Sequence, residues 1–312
     1  MKAVGIDIGG MSIKVGLTEN GKILDQIRFK TLLDKDIDIQ NIINNVQALL
    51  DRNTLKAQDL IGIGVGCPGS VNTKKGIVEI LPNLNWENVN LKEILQTNFN
   101  VDVKITNDAN AAVLAEARYG IAKDYSTSIM FTLGTGVGGG IIIDKKLFEG
   151  GKGLGVELGH VTLVLDGEPC TCGRKGCVEA YVSATALIKQ TKIAMQSNPD
   201  SLMWQSVNGD ISLVSGKTAF DMAKANDKTA IEVVEKYVSY LSESIMSMLN
   251  IFRPEAFIIG GGISGEGEYL TSKIIKYLEK FEYGYKKSPK TEILTAKLGN
   301  DAGIIGASAL FE

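Results

Sequence analysis

The chain has 312 residues, too many for one small domain and comfortable for two. Its residues are 44% hydrophobic and 22% charged, ordinary globular values that allow a full core without disulfide staples. The net charge of −3, with Lys and Arg scattered, speaks against a nucleic-acid footprint, and no apolar stretch reaches the length of a bilayer crossing.

Met1-Lys2 leads straight into a strand-like run at 3–8 with no signal-peptide pattern, so a cytoplasmic protein is expected. Further strand-like runs lie at 13–18 and 22–31. The Glu19-Asn20-Gly21 between them carries the strongest short hairpin signal, Asn-Gly. Residues 38–51 have helical spacing, with Ile39, Ile42, Ile43, Val46, Leu49 and Leu50 on one face. Residues 61–65 and 101–106 read as strands. Asn107-Asp108 opens a helix over 109–119, with Gly120 as its stop.

The plan then restarts. Ser128–Leu133 is a strand, Gly134 to Gly140 a glycine-rich turn, 141–143 a strand, and Asp144-Lys145-Lys146 a turn into the next strand. Both halves thus run strand, glycine turn, strand, hairpin, strand. That layout predicts two similar α/β lobes with a cleft between them. Later helices are predicted at 184–194, 218–225 and Lys228–Phe252, where Pro254 ends the run, and a strand at 256–259 enters Gly260-Gly261-Gly262. The stretch 196–214 is polar and reads as an irregular surface excursion.

Three glycine turns each follow a strand: Asp7-Ile8-Gly9-Gly10-Met11-Ser12, the turn beginning at Gly134-Thr135-Gly136, and Gly260-Gly261-Gly262. Without β-carbons, backbone N–H groups approach phosphate oxygens closely. A single such turn is a tight corner; three at strand ends point to a nucleotide. None has the Walker pattern, and none opens a helix in the manner of a dinucleotide site.

Cys170, Cys172 and Cys177 fall within eight residues, and the chain's one histidine, His160, stands ten residues before them. In a reducing compartment three thiolates and an imidazole make a tetrahedral structural zinc site. Cys67, between Gly66 and Pro68, reads as a small buried residue.

Taken in order, Asp7-x-Gly9-Gly10-x-Ser12-x-Lys14, Gly134-Thr135-Gly136-x-Gly138-Gly139-Gly140, Gly155-x-Glu157-x-Gly159-His160 and Cys170-x-Cys172-Gly173-x-x-Gly176-Cys177-x-Glu179 resemble the ROK family (repressors, open reading frames and kinases). The resemblance runs nearly end to end. One departure is Met11, where the family usually has Thr and where Ser12 offers the alternative hydroxyl. The resemblance implies a two-lobed actin-like ATPase (ribonuclease H-like) fold, with a smaller lobe over 1–118 joined by a C-terminal helix at 300–312 and a larger lobe over 119–299. It implies an ATP- and Mg²⁺-dependent sugar kinase, first of all a glucokinase acting on the 6-hydroxyl. N-acetylmannosamine, allose, fructose or β-glucosides are alternative substrates, and a homodimer is expected.

By residue type alone an acid at Asp108 is a helix N-cap and Glu157 and Glu179 are solvated acids. The resemblance instead makes Asp108 the base that orients a sugar hydroxyl and accepts its proton, at a helix N-terminus that favours a carboxylate. It makes Asn83, Asn107, Glu157, His160 and Glu179 sugar contacts. It assigns the nucleotide and its Mg²⁺ to Asp7, Gly9, Gly10, Ser12, Lys14, Gly134, Thr135, Gly136, Gly261 and Gly262. Two non-kinase readings stand beside this one. A sugar-responsive repressor would carry a DNA-reading helix before the Asp7 turn, and a catalytically silent sensor would have no need of Asp108 and three glycine turns.

Overall fold

The computed structural model describes residues 1–287 and 289–312. In chain order it contains β1 (Lys2–Ile8), β2 (Ser12–Glu19), β3 (Lys22–Lys30), α1 (Lys35–Arg52), β4 (Leu60–Cys67), β5 (Ser70–Asn72), β6 (Ile77–Leu81), β7 (Trp86–Val89), α2 (Leu91–Phe99), β8 (Val103–Asn107) and α3 (Asp108–Arg118). Next come β9 (Ser128–Leu133), β10 (Val137–Ile143), β11 (Lys146–Leu147), α4 (Glu179–Val182), α5 (Ala184–Ser197), α6 (Leu202–Ser206), α7 (Thr218–Lys224) and α8 (Lys228–Phe252). The chain closes with β12 (Ala256–Gly260), α9 (Glu268–Leu278), β13 (Glu292–Thr295) and α10 (Ala302–Ser308). These elements form two compact units. Unit 1 comprises residues 1–127, 140–156 and 297–312, and unit 2 comprises 128–139 and 157–296. No helix among the described residues is long and apolar enough to cross a membrane.

Unit 1 is built on a five-stranded sheet in the order β3-β2-β1-β4-β8. β1 pairs antiparallel with β2 and parallel with β4, and β4 pairs parallel with β8. The β2–β3 hairpin turns at Asn20 (φ 49°) and Gly21 (φ 73°), the left-handed pair that Asn-Gly favours. Asp34 caps α1, accepting the N–H groups of Asp36 and Ile37. Ile39, Ile42, Val46, Leu49 and Leu50 of α1 join Val4, Ile6, Val15 and Val65 of the sheet in one buried cluster. A small sheet, β5-β6-β7, packs the fully buried Trp86 into that same core. On the C-terminal segment, α10 packs against α3, β1 and β4. Gly5 and Gly64 make this contact possible: a β-carbon there would lie 2.0 Å from the carbonyl oxygen of Ile304 and 1.8 Å from that of Ala307.

In unit 2, β9, β12 and β13 are parallel neighbours in that order, the succession that β1, β4 and β8 follow in unit 1. β10 runs into β11 through Asp144 (φ 51°) and Lys145 (φ 60°), as β2 runs into β3. This is the duplicated α/β plan of the actin-like ATPases. Phe131 and Phe257 meet edge to face at 5.0 Å beneath the strands, and the buried Tyr237 of α8 donates to the carbonyl of Val182 at 2.8 Å.

Three local expectations change. The glycine-rich turn ends at Gly136, and Gly138 to Gly140 lie inside β10. These strand positions are glycine at 139 and 140 because β-carbons there would fall 2.6 Å from Leu158 and 2.4 Å from Val113. α3 ends at Arg118 with Tyr119 as its cap. Gly120 is needed because a β-carbon would strike the buried carboxylate of Glu116 at 1.9 Å. The stretch 196–214 is ordered: Asp227 accepts from Ser201 Oγ (3.0 Å) and from the N–H of Leu202 (2.8 Å). Ser201 in turn caps α6 by accepting the Met203 N–H (3.2 Å), and Met203, Val207 and Val214 are buried. Its polar composition hid apolar residues spaced too widely for a helical stripe.

Candidate active site and metal centre

In unit 1 the first glycine turn joins β1 to β2, and the Gly9 N–H closes it on the carbonyl of Ser12 (3.1 Å). Thr31 holds the turn from behind, its hydroxyl donating to the Gly9 carbonyl (2.9 Å) and its N–H to that of Met11 (3.2 Å). The Met11 side chain projects into solvent, 84% exposed. Asp7 and Lys14 stand opposite each other in the β1–β2 register and pair at 2.9 Å, and Lys14 Nζ also donates to the carbonyl of Asn300. Gly303 faces the Asp7 carboxylate, where a β-carbon would come within 2.5 Å. Ser12 Oγ accepts from Arg28 Nε at 3.1 Å. Asn83 is exposed after β6, and its Cβ lies 3.9 Å from where a Gly10 β-carbon would stand, so it is beside this turn.

Where β8 becomes α3, Asn107 is the N-cap: its Oδ1 accepts the N–H of Ala109 (2.9 Å), and its Nδ2 donates to the Gly69 carbonyl (3.1 Å). Asp108 is therefore the first helical residue rather than the cap. It is half-buried, with Oδ1 accepting from the Ala109 N–H at 2.8 Å. Gly66 lets this helix start approach β4, since a β-carbon there would meet Ala111 at 3.1 Å and the Asp108 Cα at 3.8 Å. Cys67 is fully buried next to it. Burial pushes its thiol well above the ordinary range, and the negative charge of Asp108 adds to that, so it is an inert core residue. Behind Asp108 lies a polar chain that the sequence did not single out. Asn110 Nδ2 donates to Thr106 Oγ1 (3.3 Å), and Thr106 Oγ1 donates to Glu149 Oε1 (2.8 Å). The spacing of Thr106 and Asn110 was visible in the sequence; their tie to Glu149 was not.

In unit 2 the turn Gly134-Thr135-Gly136 is held by α5 and by Glu179. The Ala184 N–H donates to the Gly134 carbonyl (2.8 Å) and Thr185 Oγ1 to that of Thr135 (2.8 Å). Glu179 Oε2 accepts the Val137 N–H at 3.0 Å and fills the space where a Gly136 β-carbon would be, 2.4 Å away. Gly261, at φ 79°, packs on the end of β9, where a β-carbon would meet the Leu133 carbonyl at 2.4 Å. The second and third glycine turns are thus neighbours, and Gly262 has open space beside it.

His160, Cys170, Cys172 and Cys177 come together, their ligand atoms all within 4.8 Å of one another. His160 Nδ1 is 3.5 Å from Cys170 Sγ, and the sulfurs of Cys172 and Cys177 are 3.7 Å apart. A tetrahedral zinc with bonds of about 2.3 Å to sulfur needs an edge of about 3.8 Å, so the donor set fits. Nδ1 faces the sulfurs, which leaves Nε2 of the same ring for another partner. Gly173 (φ 85°) and Gly176 (φ 76°) turn the loop, and Arg174 ties it down by donating to the His160 carbonyl and to Thr162 Oγ1. Without metal, burial pushes the Cys177 thiol up to about 12 and raises that of Cys170, whereas the backbone N–H of Arg174 lowers that of Cys172. Glu179 connects this loop to the glycine turn: its Oε1 accepts from Thr171 Oγ1 (2.8 Å) and Cys170 Sγ (3.5 Å). Glu157 is exposed at the start of the single helical turn Leu158–His160.

The sequence model of the ROK family matches residues 3–312. A glucokinase of Thermotoga maritima is 34% identical over 100% of this chain and 98% of its own length. A xylose repressor of Bacillus subtilis is 30% identical over 99% of this chain and 76% of its own length. Among solved structures, a ROK family glucokinase from Streptomyces griseus, in complex with glucose and AMPPNP, superposes with a TM-score of 0.84 at 32% identity, covering 99% of each chain.

Proposed function

The chain belongs to the ROK family, and on that premise we propose that it is an ATP-dependent glucokinase, transferring the γ-phosphoryl group to the 6-hydroxyl of glucose. The observation that carries this reading is Asp108, a half-buried carboxylate on the first residue of α3, set beside the Asn107 side chain that caps the helix. A sugar hydroxyl is a poor nucleophile. Asp108 aligns it and takes its proton as the new O–P bond forms and the bond to the ADP oxygen breaks. Asn83, Asn107, Glu157, His160 through Nε2, and Glu179 hold the sugar hydroxyls. Glu179 already spans two donors, so its contact with the sugar is shared with the turn it supports.

The phosphates lie against the glycine turns at Gly9-Gly10, at Gly134-Thr135-Gly136 and at Gly261-Gly262, with Ser12 and Lys14 at the first. The glycines admit backbone N–H groups, and Lys14 brings a cation that Asp7 and the Asn300 carbonyl hold in place. Asp7 takes the Mg²⁺, which offsets phosphate charge when bound. Zinc on His160, Cys170, Cys172 and Cys177 is structural and fixes the loop from which Glu179 reaches the turn. The enzyme is inferred to be cytoplasmic and homodimeric, which sedimentation would check.

The test is an ADP-release assay over glucose, mannose, fructose, allose, N-acetylglucosamine, N-acetylmannosamine and a β-glucoside, with Asp108→Asn alongside. Turnover with glucose that the variant loses supports the reading. Turnover with another sugar moves the substrate within the family. Sugar binding without turnover in folded, zinc-loaded protein replaces the kinase with a sensor.

A further inference from the structure

Unit 1 contains a cavity of about 410 Å³, lined among others by Lys92, Lys104, Arg118, Lys146, Glu149 and Glu312 and by no glycine-turn residue nor Asp108. Four cations from α2, β8, the end of α3 and β11 share one hollow with two acidic residues. Both acids already have donors. Glu149 accepts from Thr106, and the Glu312 side chain accepts from the hydroxyl of Tyr119. The cations are less well matched. Lys92 and Lys146 form no ion pair among the described residues, and Lys104 donates only to the Leu310 carbonyl, its ammonium 4.8 Å from the centre of the Phe311 ring. Arg118 uses Nη2 on the Glu312 carbonyl oxygen (3.1 Å), while its Nε–H is buried with no acceptor. A guanidinium and ammonium groups around one hollow match the charge and the oxygens of a phosphate. Lys104 and Lys146 are exposed at the rim of this concave space, and Lys92 is half-buried with its stem against Gly76.

We propose that this cavity is a second anion site that binds a phosphate group through Lys92, Lys104, Arg118 and Lys146. The phosphate comes either free, as inorganic phosphate, or on a sugar phosphate such as the product of the reaction proposed above. None of the four residues belongs to the proposed catalytic or nucleotide machinery. The site therefore stands or falls apart from the kinase reading.

Isothermal titration of the full, zinc-loaded chain with inorganic phosphate, and separately with glucose 6-phosphate, tests this, in the presence of saturating Mg-AMPPNP and glucose. The comparison is Lys92→Gln/Lys146→Gln, which keeps the side-chain bulk and removes two charges. The expected result is binding of one or both ligands that weakens at least about tenfold in the double variant and falls with added KCl, with turnover in the assay unchanged. Binding of both ligands points to the phosphate group alone, and binding of glucose 6-phosphate alone points to a sugar phosphate. Absence of binding by either ligand, or binding that the double variant leaves undiminished, overturns the proposal.

Discussion

The Gly9-Gly10 turn of unit 1 and the Gly134-Thr135-Gly136 turn of unit 2 occupy matching places in the same strand plan, but they are stabilised by different means. The first is held by its own sheet: Asp7 and Lys14 pair across β1 and β2, and Thr31 at the end of β3 grips the backbone. The second carries no charged side chain of its own. It depends on Glu179, which reaches Val137 from the first residue of α4, directly after the loop that Cys170, Cys172, Cys177 and His160 gather. A sheet register fixes a turn locally, whereas a long loop needs an added constraint, which a zinc held by three thiolates and an imidazole would supply. The same strand layout therefore holds the turn of unit 1 through its own sheet and ties the turn of unit 2 to the His160, Cys170, Cys172 and Cys177 cluster through Glu179.

The strongest way to break that contrast is in unit 1. Asp108→Asn is expected to lower kcat by about 10²- to 10⁴-fold with zinc content and the KM for ATP unchanged. A loss of zinc in this variant would mean that the chemistry and the metal are linked after all.

Metal removal should act on the other side. Stripping zinc, or making Cys172→Ser, is expected to lower the melting temperature by several degrees and to raise the KM for ATP more than it lowers kcat. The linkage has a definite sign. The Cys170 and Cys177 thiols have raised pKa values, so they keep their protons at neutral pH, and zinc must displace them. Binding is therefore expected to release at least two protons per zinc, those of Cys170 and Cys177, and to tighten as pH rises through neutrality. Titration calorimetry in buffers of different ionisation enthalpy reads that number, and no proton release would contradict the thiol assignment.

A smaller effect sharpens the role of Glu179. Gly136→Ala places a β-carbon where Glu179 Oε2 now lies, so the carboxylate must move off the Val137 N–H. The KM for ATP should rise about tenfold with kcat largely retained, the cost of one charge-assisted hydrogen bond. The smallest effect belongs to Met11→Thr. The Met11 side chain touches solvent, so thermal unfolding should report a stability change within about 0.5 kcal/mol, and the KM for ATP shows whether a hydroxyl there reaches the phosphate.

Much of the fold was legible from short-range chemistry. Asn20-Gly21 announced the β2–β3 hairpin, the strand Ser128–Leu133 and the helix Lys228–Phe252 have the predicted bounds, and the Cys-x-Cys-x4-Cys spacing with His160 pointed to the cluster that the structure assembles. Less legible was why particular residues stand where they do. Gly120 follows the end of α3 as read, but the need for glycine there is clearance for Glu116, whose carboxylate also accepts the N–H groups of Lys297 and Leu298. The stretch 196–214 read as irregular, but Ser201 caps α6 there and Asp227, far along the chain, holds Ser201 and the Leu202 N–H.

From its sequence alone, this protein's duplicated α/β layout, its strand-end glycines and its His160, Cys170, Cys172 and Cys177 cluster were already legible, because turn chemistry, strand and helix periodicity and ligand spacing act over a few residues. Only the tertiary structure decided that Glu179 bridges the metal loop and the second turn, that Thr106 and Asn110 stand behind Asp108 with Glu149, and that Lys92, Lys104, Arg118 and Lys146 surround one cavity. Those arrangements join residues tens of positions apart. Such residues meet only when whole elements pack, and no local preference in the chain encodes that meeting.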